Sequence, residues 1–268
     1  MNNIDVSIII PCYNHGNHIR EAIESVKACK YDNSEIIIVN DGSTEPSTLK
    51  IFSELERDGY FILHQENQGL GAARNNGIKI SKGRYFLPLD SDNKIKPEYL
   101  IKGVPLLDNN KDLAVVYGKP FFFGTIERPW AVQEFCLEKL IISNYIDACA
   151  IIRKKAWEEC GGYYEKKELM GYEDLDLWMR IAIKGWEFKF IDEFLYEYQV
   201  REGSMIENRE NNSEVIKYIF NQKELSLAKS YRDLYFKHVH LVSKVRFLSK
   251  FLPARLKLKI KAYLEMIN

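Results

Sequence analysis

Apolar runs of strand length alternate with helical stripes over most of the chain. Val6-Ser-Ile-Ile-Ile10 is a continuous β-branched run stopped by Pro11, the pattern of a strand buried on both faces of a parallel sheet. Ile19, Ala22, Ile23 and Val26 then recur at i, i+3, i+4 and i+7, which predicts one amphipathic helix. Glu35 to Val39 repeats the buried-strand pattern and runs into the polar turn Asn40-Asp41-Gly42-Ser43-Thr44. Tyr60 to His64 reads as a third strand, and Asn67 to Gly77 leads into and through a short helix. Tyr85, Phe86, Leu87 and Leu89 form a further short strand that ends abruptly in Asp90-Ser91-Asp92. Beyond it the pattern predicts a helix over Pro97–Leu107, a strand over Leu113–Tyr117, a break in periodicity over Pro120–Trp130 and a strand over Ile146–Ile152. A short helix over Lys155–Cys160 ends at Gly161-Gly162. Leu175, Leu177, Trp178, Ile181 and Ala182 mark another helix, whose first turn carries Glu173 and Asp174.

This rhythm argues for an α/β fold with a mostly parallel, Rossmann-like central sheet flanked by helices. Ligands of such sheets bind beyond the carboxyl ends of the strands. Pro11 to Asn14, Asp41 and Asp90 to Asp92 all fall there, so three polar clusters distant in sequence are expected to share one crevice. Asp90 and Asp92 are hard oxygen ligands one residue apart; they suit a divalent cation such as Mg²⁺ or Mn²⁺, and through it a diphosphate, although the same residues also make ordinary turns. Gly69-x-Gly71-x-x-Arg74 has arginine where a dinucleotide fingerprint needs a small residue. A guanidinium near a helix N-terminus suits a phosphate or ribose oxygen, or is a surface arginine. Glu173 and Asp174 stabilise a helix N-terminus, whose field favours their ionised form, and a general base must be ionised. Asp176 and Arg180, four residues apart, are expected to form an exposed pair. Phe121, Phe122, Phe123 and Trp130 offer faces for sugar stacking or for the core.

Composition narrows the classes. A chain of 268 residues with 46% hydrophobic residues suits one large α/β domain with an appendage. Lys plus Arg and Asp plus Glu are both 38, which gives no reason to expect nucleic-acid binding. Cys12, Cys29, Cys136, Cys149 and Cys160 are scattered with no Cys-x-x-Cys pair, so a reducing compartment and no zinc site are expected. The first residues lack a signal-peptide pattern and no run approaches the ~20 apolar residues of a membrane span. A cytoplasmic protein is the expectation. After Gly203 there is no further glycine, and Pro253 is the only proline. Val215, Ile219 and Lys223 favour helix; Leu241, Val245, Leu248 and Leu252 make an apolar stripe among Lys237, Lys244, Arg246, Lys250, Arg255, Lys257, Lys259 and Lys261. Such a basic amphipathic segment fits the inner face of an anionic membrane, the catalytic domain itself or a second subunit as in a homodimer. Arg255 to Lys261 alternates strictly and fits a strand as well as a helix.

Taken together, these segments resemble the family 2 glycosyltransferases of the GT-A fold. The matching stretches are Val6 to Asn14, Ile36 to Thr44, Asn67 to Gly77, Leu87 to Asp92, and Gly161-Gly-Tyr continuing to Gly171-Tyr-Glu-Asp174 and Leu177 to Arg180, in the family's order. The resemblance implies a catalytic domain over residues 1–205, with a nucleotide-binding half at about 1–95 and an acceptor-binding half at about 96–205, and a helical extension over 206–268. It implies a nucleoside-diphosphate-sugar donor, a divalent metal, inversion at the anomeric carbon, and a glycan or lipid-linked acceptor in cell-surface polysaccharide synthesis. Tyr13 and Asp41 match the base-recognising pair, most often for uracil, with Pro11, Asn14 and Ser91 in the same nucleotide-sugar-binding set. Arg74 and Asp90 match residues that reach the nucleoside and diphosphate, Asp92 the direct metal ligand with Asp90 beside it, and Asp174 the catalytic base with Glu173 in reserve. The Gln-x-x-Arg-Trp motif of processive synthases is missing, which favours single addition. Relatives often carry histidine after the last strand where this chain reads Tyr198 to Met205; Arg201 is the residue there that suits a diphosphate. A sugar-phosphate nucleotidyltransferase should carry a Gly-rich loop where Pro11-Cys-Tyr-Asn14 stands, and a non-catalytic nucleotide-sugar-binding module would not need Glu173 and Asp174.

Overall fold

The computed structural model describes residues 4–165, 170–202, 218–221 and 225–249. The chain divides into two compact units, Met1–Ile219 and Phe220–Asn268. In the first, β1 (Val6–Cys12), α1 (Gly16–Ala28), β2 (Ser34–Asp41), α2 (Pro46–Arg57), β3 (Ile62–Gln65), α3 (Leu70–Ile80) and β4 (Tyr85–Pro88) alternate. There follow β5 (Lys94–Ile95), α4 (Glu98–Asn109), β6 (Leu113–Gly124), β7 (Arg128–Pro129), α5 (Leu137–Ile142), β8 (Ile151–Arg153), α6 (Lys154–Glu159), α7 (Glu173–Ile183) and β9 (Glu187–Val200).

The strands form one sheet in the order β3-β2-β1-β4-β8-β6-β9-β5, with β7 paired to β6. The first four are parallel. The second half is mixed: β8 runs antiparallel to β4 and β6, β9 runs parallel to β6, and β5 runs antiparallel to β9. β1 does not stop at Pro11. Ile9 accepts a bond from Leu89 N–H, so the polar groups of Ile9 and, two residues on, Pro11 face β4, whose pairing with β1 has already ended at Pro88. No ladder partner is lost to the missing N–H.

Periodicity selects the buried faces as predicted. α1 buries Ile19, Ala22, Ile23 and Val26. α2, which the apolar pattern alone does not announce, buries Thr48, Phe52 and Leu55. α3 lies so close to the sheet that a Cβ on Gly77 would stand 2.6 Å from Ile9 Cγ2 and 3.0 Å from Val39 Cγ2.

Three local expectations change. The strand expected over Ile146–Ile152 shrinks to β8, because Asp147 Oδ1 accepts the Cys149 N–H at 2.9 Å and diverts a backbone donor from any ladder. The strand over Leu113–Tyr117 instead continues to Gly124 against β9, so Phe121 to Phe123 are strand residues, and Trp130 stacks on Phe122 at 5.7 Å between ring centroids. Asp176 and Arg180 do pair, but out of water: Asp176 is 0% exposed, and Arg180 also donates to the Cys160 carbonyl. Helical spacing specifies the pair and cannot specify that its face is covered.

In the second unit α8 (Ser226–Ser249) is helical and exposes Tyr231, Leu234, Tyr235, Phe236 and Val239. The expectations at Val215, Lys223 and Leu252, for the side chains of Leu241, Val245 and Leu248, and for Lys250 to Lys261 lie outside the described residues.

Candidate active site

β4 delivers its acids through a tight turn. Asn93 N–H bonds the Asp90 carbonyl at 3.0 Å, and Asn93 Oδ1 accepts the Gln199 N–H at 2.9 Å, which ties the turn to β9. The turn reading and the site reading of this stretch therefore both hold. Arg74 is 3% exposed and donates to Asp90 Oδ1 at 2.9 Å, so it braces Asp90 from behind. Arg201 sits on Asp92 at 2.9 Å, with its Nη1 2.7 Å from His15 Nδ1. Burial, then the Asp90 charge, holds the Asp92 carboxyl above its usual range despite Arg201. Burial and Arg201 together keep the His15 imidazole below its usual range, on the neutral side.

The described residues contain no group of three His, Cys, Asp or Glu side chains arranged for a metal. Asp92 and Asp90 nonetheless fit a hard divalent cation. Their donors are carboxylate oxygens, the Asp90 charge acts unfavourably on Asp92, and Mg²⁺-like ions are commonly held by one or two carboxylates plus phosphate oxygens.

The loops after β1 and β2 form the neighbouring wall. Tyr13 is 45% exposed and free to present its ring. Asn14 adopts φ 55°, and its Oδ1 accepts the N–H groups of Thr44 and Glu45 at 2.8 and 3.0 Å, which joins the two loops. Pro11 is buried in β1, and Ser91 is buried beside the Cys12 thiol. Asp41, also buried, accepts from Gln65 Nε2 at 2.8 Å and from the Gln68 and Gly69 N–H groups at 2.8 and 3.0 Å. Its carboxylate thus shapes the approach to α3.

Facing the β4 turn is the start of α7. Asp174 accepts from Leu175 N–H at 2.7 Å and from Asn144 Nδ2 at 3.0 Å. Glu173 is 4% exposed and takes the Gly171 N–H at 3.0 Å. The helix terminus was expected to lower both acids. For Glu173 burial outweighs Arg74 and the backbone donors, and its carboxyl is raised.

Asp147 joins the two walls. It lies in the segment between α5 and β8, which is pinned to α7 by the Asn144–Asp174 bond and by Trp178 Nε1 on the Ile146 carbonyl at 3.0 Å. Burial pushes the Asp147 carboxyl up to about 7, and the charges that add to this are Asp90 and then Asp174. Asp90 of the β4 turn and Asp174 of α7 therefore both act on this one carboxyl. Asp147, Asn144 and His15 are absent from the sequence-derived set; the available signal was a carboxylate inside an apolar run, since such a residue is seldom buried without a partner or a role.

A sheet with one parallel half, a mixed half and acids on the rim of β4 is the GT-A arrangement. The structure resembles Staphylococcus aureus TarS 1–349 solved with UDP-GlcNAc, with a TM-score of 0.67 and 20% identity over 96% of this chain and 78% of that one. It also resembles the mannosyltransferase PcManGT of Pyrobaculum calidifontis, solved with GDP-Man and Mn²⁺, with a TM-score of 0.57 and 17% identity over 97% and 84% of the two chains. The chain belongs to glycosyl transferase family 2, whose model matches residues 7–161. An uncharacterised glycosyltransferase of Rickettsia typhi is 31% identical over 82% of this chain and 68% of its own length. Glycosyltransferase GlyG of Streptococcus pneumoniae is 29% identical over 75% and 72%. Membership supports transferase activity.

Proposed function

We propose that the protein transfers a sugar from a nucleoside-diphosphate-sugar, a UDP-sugar foremost, to a hydroxyl of a glycan or lipid-linked acceptor in cell-surface polysaccharide synthesis. The reaction is a metal-assisted single displacement with inversion. The observation that supports this reading is that α3 touches both sides: Arg74 donates to Asp90, and a Cβ on Gly71 would stand 3.6 Å from Glu173 Cγ at the start of α7.

Tyr13 stacks on the base beside Asp41, and Arg201, freed from Asp92, takes a phosphate oxygen. Asp92 and Asp90 hold Mn²⁺ or Mg²⁺, which when bound supplies positive charge to the departing diphosphate. Arg74 keeps Asp90 in place. Asp174, oriented by Asn144 and the Leu175 N–H, takes the proton of the acceptor hydroxyl as it attacks. The neighbour solved with UDP-GlcNAc supports the donor class, and the one solved with Mn²⁺ supports the metal.

No helix among the described residues is long and apolar enough to cross a membrane. The exposed Tyr231, Leu234 and Tyr235 of α8, with Lys229, Arg232, Lys237 and Lys244, suit peripheral contact with an anionic surface.

Donor hydrolysis and transfer with and without Mn²⁺ test the reading. Asp174→Asn should lower turnover by about 10²- to 10⁴-fold and leave donor affinity within a few-fold. Release of pyrophosphate in place of a nucleoside diphosphate would overturn it.

A further inference from the structure

We propose that Asp147 recognises hydroxyl groups of the transferred sugar and so sets which sugar this enzyme accepts. This rests on the glycosyl-transfer reading and goes beyond it, because it concerns the sugar and not the nucleotide or the base.

A single displacement requires the leaving diphosphate and the general base on opposite faces of the anomeric carbon. The sugar ring must therefore lie between the β4 turn and the start of α7. Asp147 stands on the α7 side of that interval, because Asn144, three residues before it, bonds Asp174 and its neighbour Ile146 bonds Trp178 of α7; the Asp90 and Asp174 charges both act on its carboxyl. Its backbone is fixed, since the segment around it is tied to α7 through Asn144 and Ile146.

The side chain is half committed. Oδ1 accepts the Cys149 N–H at 2.9 Å, while Oδ2 has no hydrogen-bond partner and Asp147 forms no ion pair among the described residues. The residue is partly, not fully, screened from solvent, so the second oxygen is open to a ligand. An open carboxylate oxygen without a partner suits a sugar hydroxyl, which can donate to it.

Asp147→Asn retains an oxygen for the Cys149 N–H, so the local turn survives, while Oδ2 becomes an amide that no longer accepts from a sugar hydroxyl. Asp147→Ala removes both functions. Calorimetry with Mn²⁺ should compare UDP, UDP-glucose, UDP-galactose and UDP-GlcNAc on wild type and Asp147→Asn. Expected is a loss of about 10- to 100-fold in affinity for the preferred UDP-sugar, with affinity for UDP itself unchanged, and a collapse of discrimination among the sugars. Equal weakening for UDP and UDP-sugar would show a structural role and overturn the proposal, as would retained discrimination. Failure of the wild-type protein to bind any nucleotide or nucleotide sugar would instead overturn the underlying donor reading, and does so before any substitution is made.

Discussion

At the scale of the residue, the chemistry depends on how strongly burial opposes charge. Asp147 shows this most clearly. Its carboxyl is pushed from the ordinary 3.8 up to about 7 by burial, with Asp90 and Asp174 adding and the Cys149 N–H and Arg74 opposing. Between those two values the folded protein keeps a proton that the unfolded chain has released, so the stability present at acid pH is lost as pH rises through about 7. Asp147→Asn removes that dependence. The melting temperature of the variant relative to wild type should climb between pH 4 and pH 8; a constant offset would contradict the assigned titration. Arg74 makes a second prediction. Its truncation leaves Asp90 without its brace, and Arg74→Ala should cost about 3 kcal/mol or more in urea unfolding, against far less for an exposed arginine. The sequence marked Arg74 by its place near a helix start but left open whether it met ligand or solvent. In the structure it meets Asp90 and the Tyr163 ring.

At the scale of the element, the contacts that aim the site run between segments that no periodicity links. Asn75 on α3 takes the Trp157 Nε1 and Tyr163 N–H bonds on its Oδ1 and gives its own amide protons to the Tyr163 carbonyl and Glu165. This one buried amide fastens α3 to α6 and to the segment that leads toward α7. Asn75→Ala leaves several of those groups unmatched and should destabilise by about 1–3 kcal/mol, with a larger loss of activity than a surface substitution of equal cost. Gly77→Ala should also destabilise, by about 1–3 kcal/mol, because the added methyl overlaps Ile9 and Val39 and must push α3 off the sheet. Strands β1, β2 and β4 were legible as short apolar runs that end in polar turns, and helix α1 as an apolar stripe at helical spacing, because these are patterns among near neighbours. β8, β9 and α5 were legible poorly or not at all. Their burial is supplied by partners far along the chain, and an Asx bond at Asp147 broke the apolar run that looked like a strand.

At the scale of the whole molecule, ligand binding and stability are linked. A donor that binds only the folded protein should add about 2.7 kcal/mol at 100 times its dissociation constant, seen as a rise in melting temperature. With a UDP-sugar and Mn²⁺ that rise should appear in wild type, and Asp92→Ala should remove its metal-dependent part; equal shifts in both would argue against Asp92 as a ligand. The chain's own order of residues determined that strands and helices alternate, that β1 and β4 are buried throughout, and that acids stand where β2 and β4 end. These are consequences of spacing between near neighbours, which a linear pattern contains. Only the tertiary structure decided that the sheet turns mixed beyond β4, that Arg201 rests on Asp92, that Asp176 is covered, and that the segment carrying Asp147 is tied to α7. Desolvation and electrostatic coupling are set by everything packed around a group, and most of what surrounds these residues comes from distant parts of the chain.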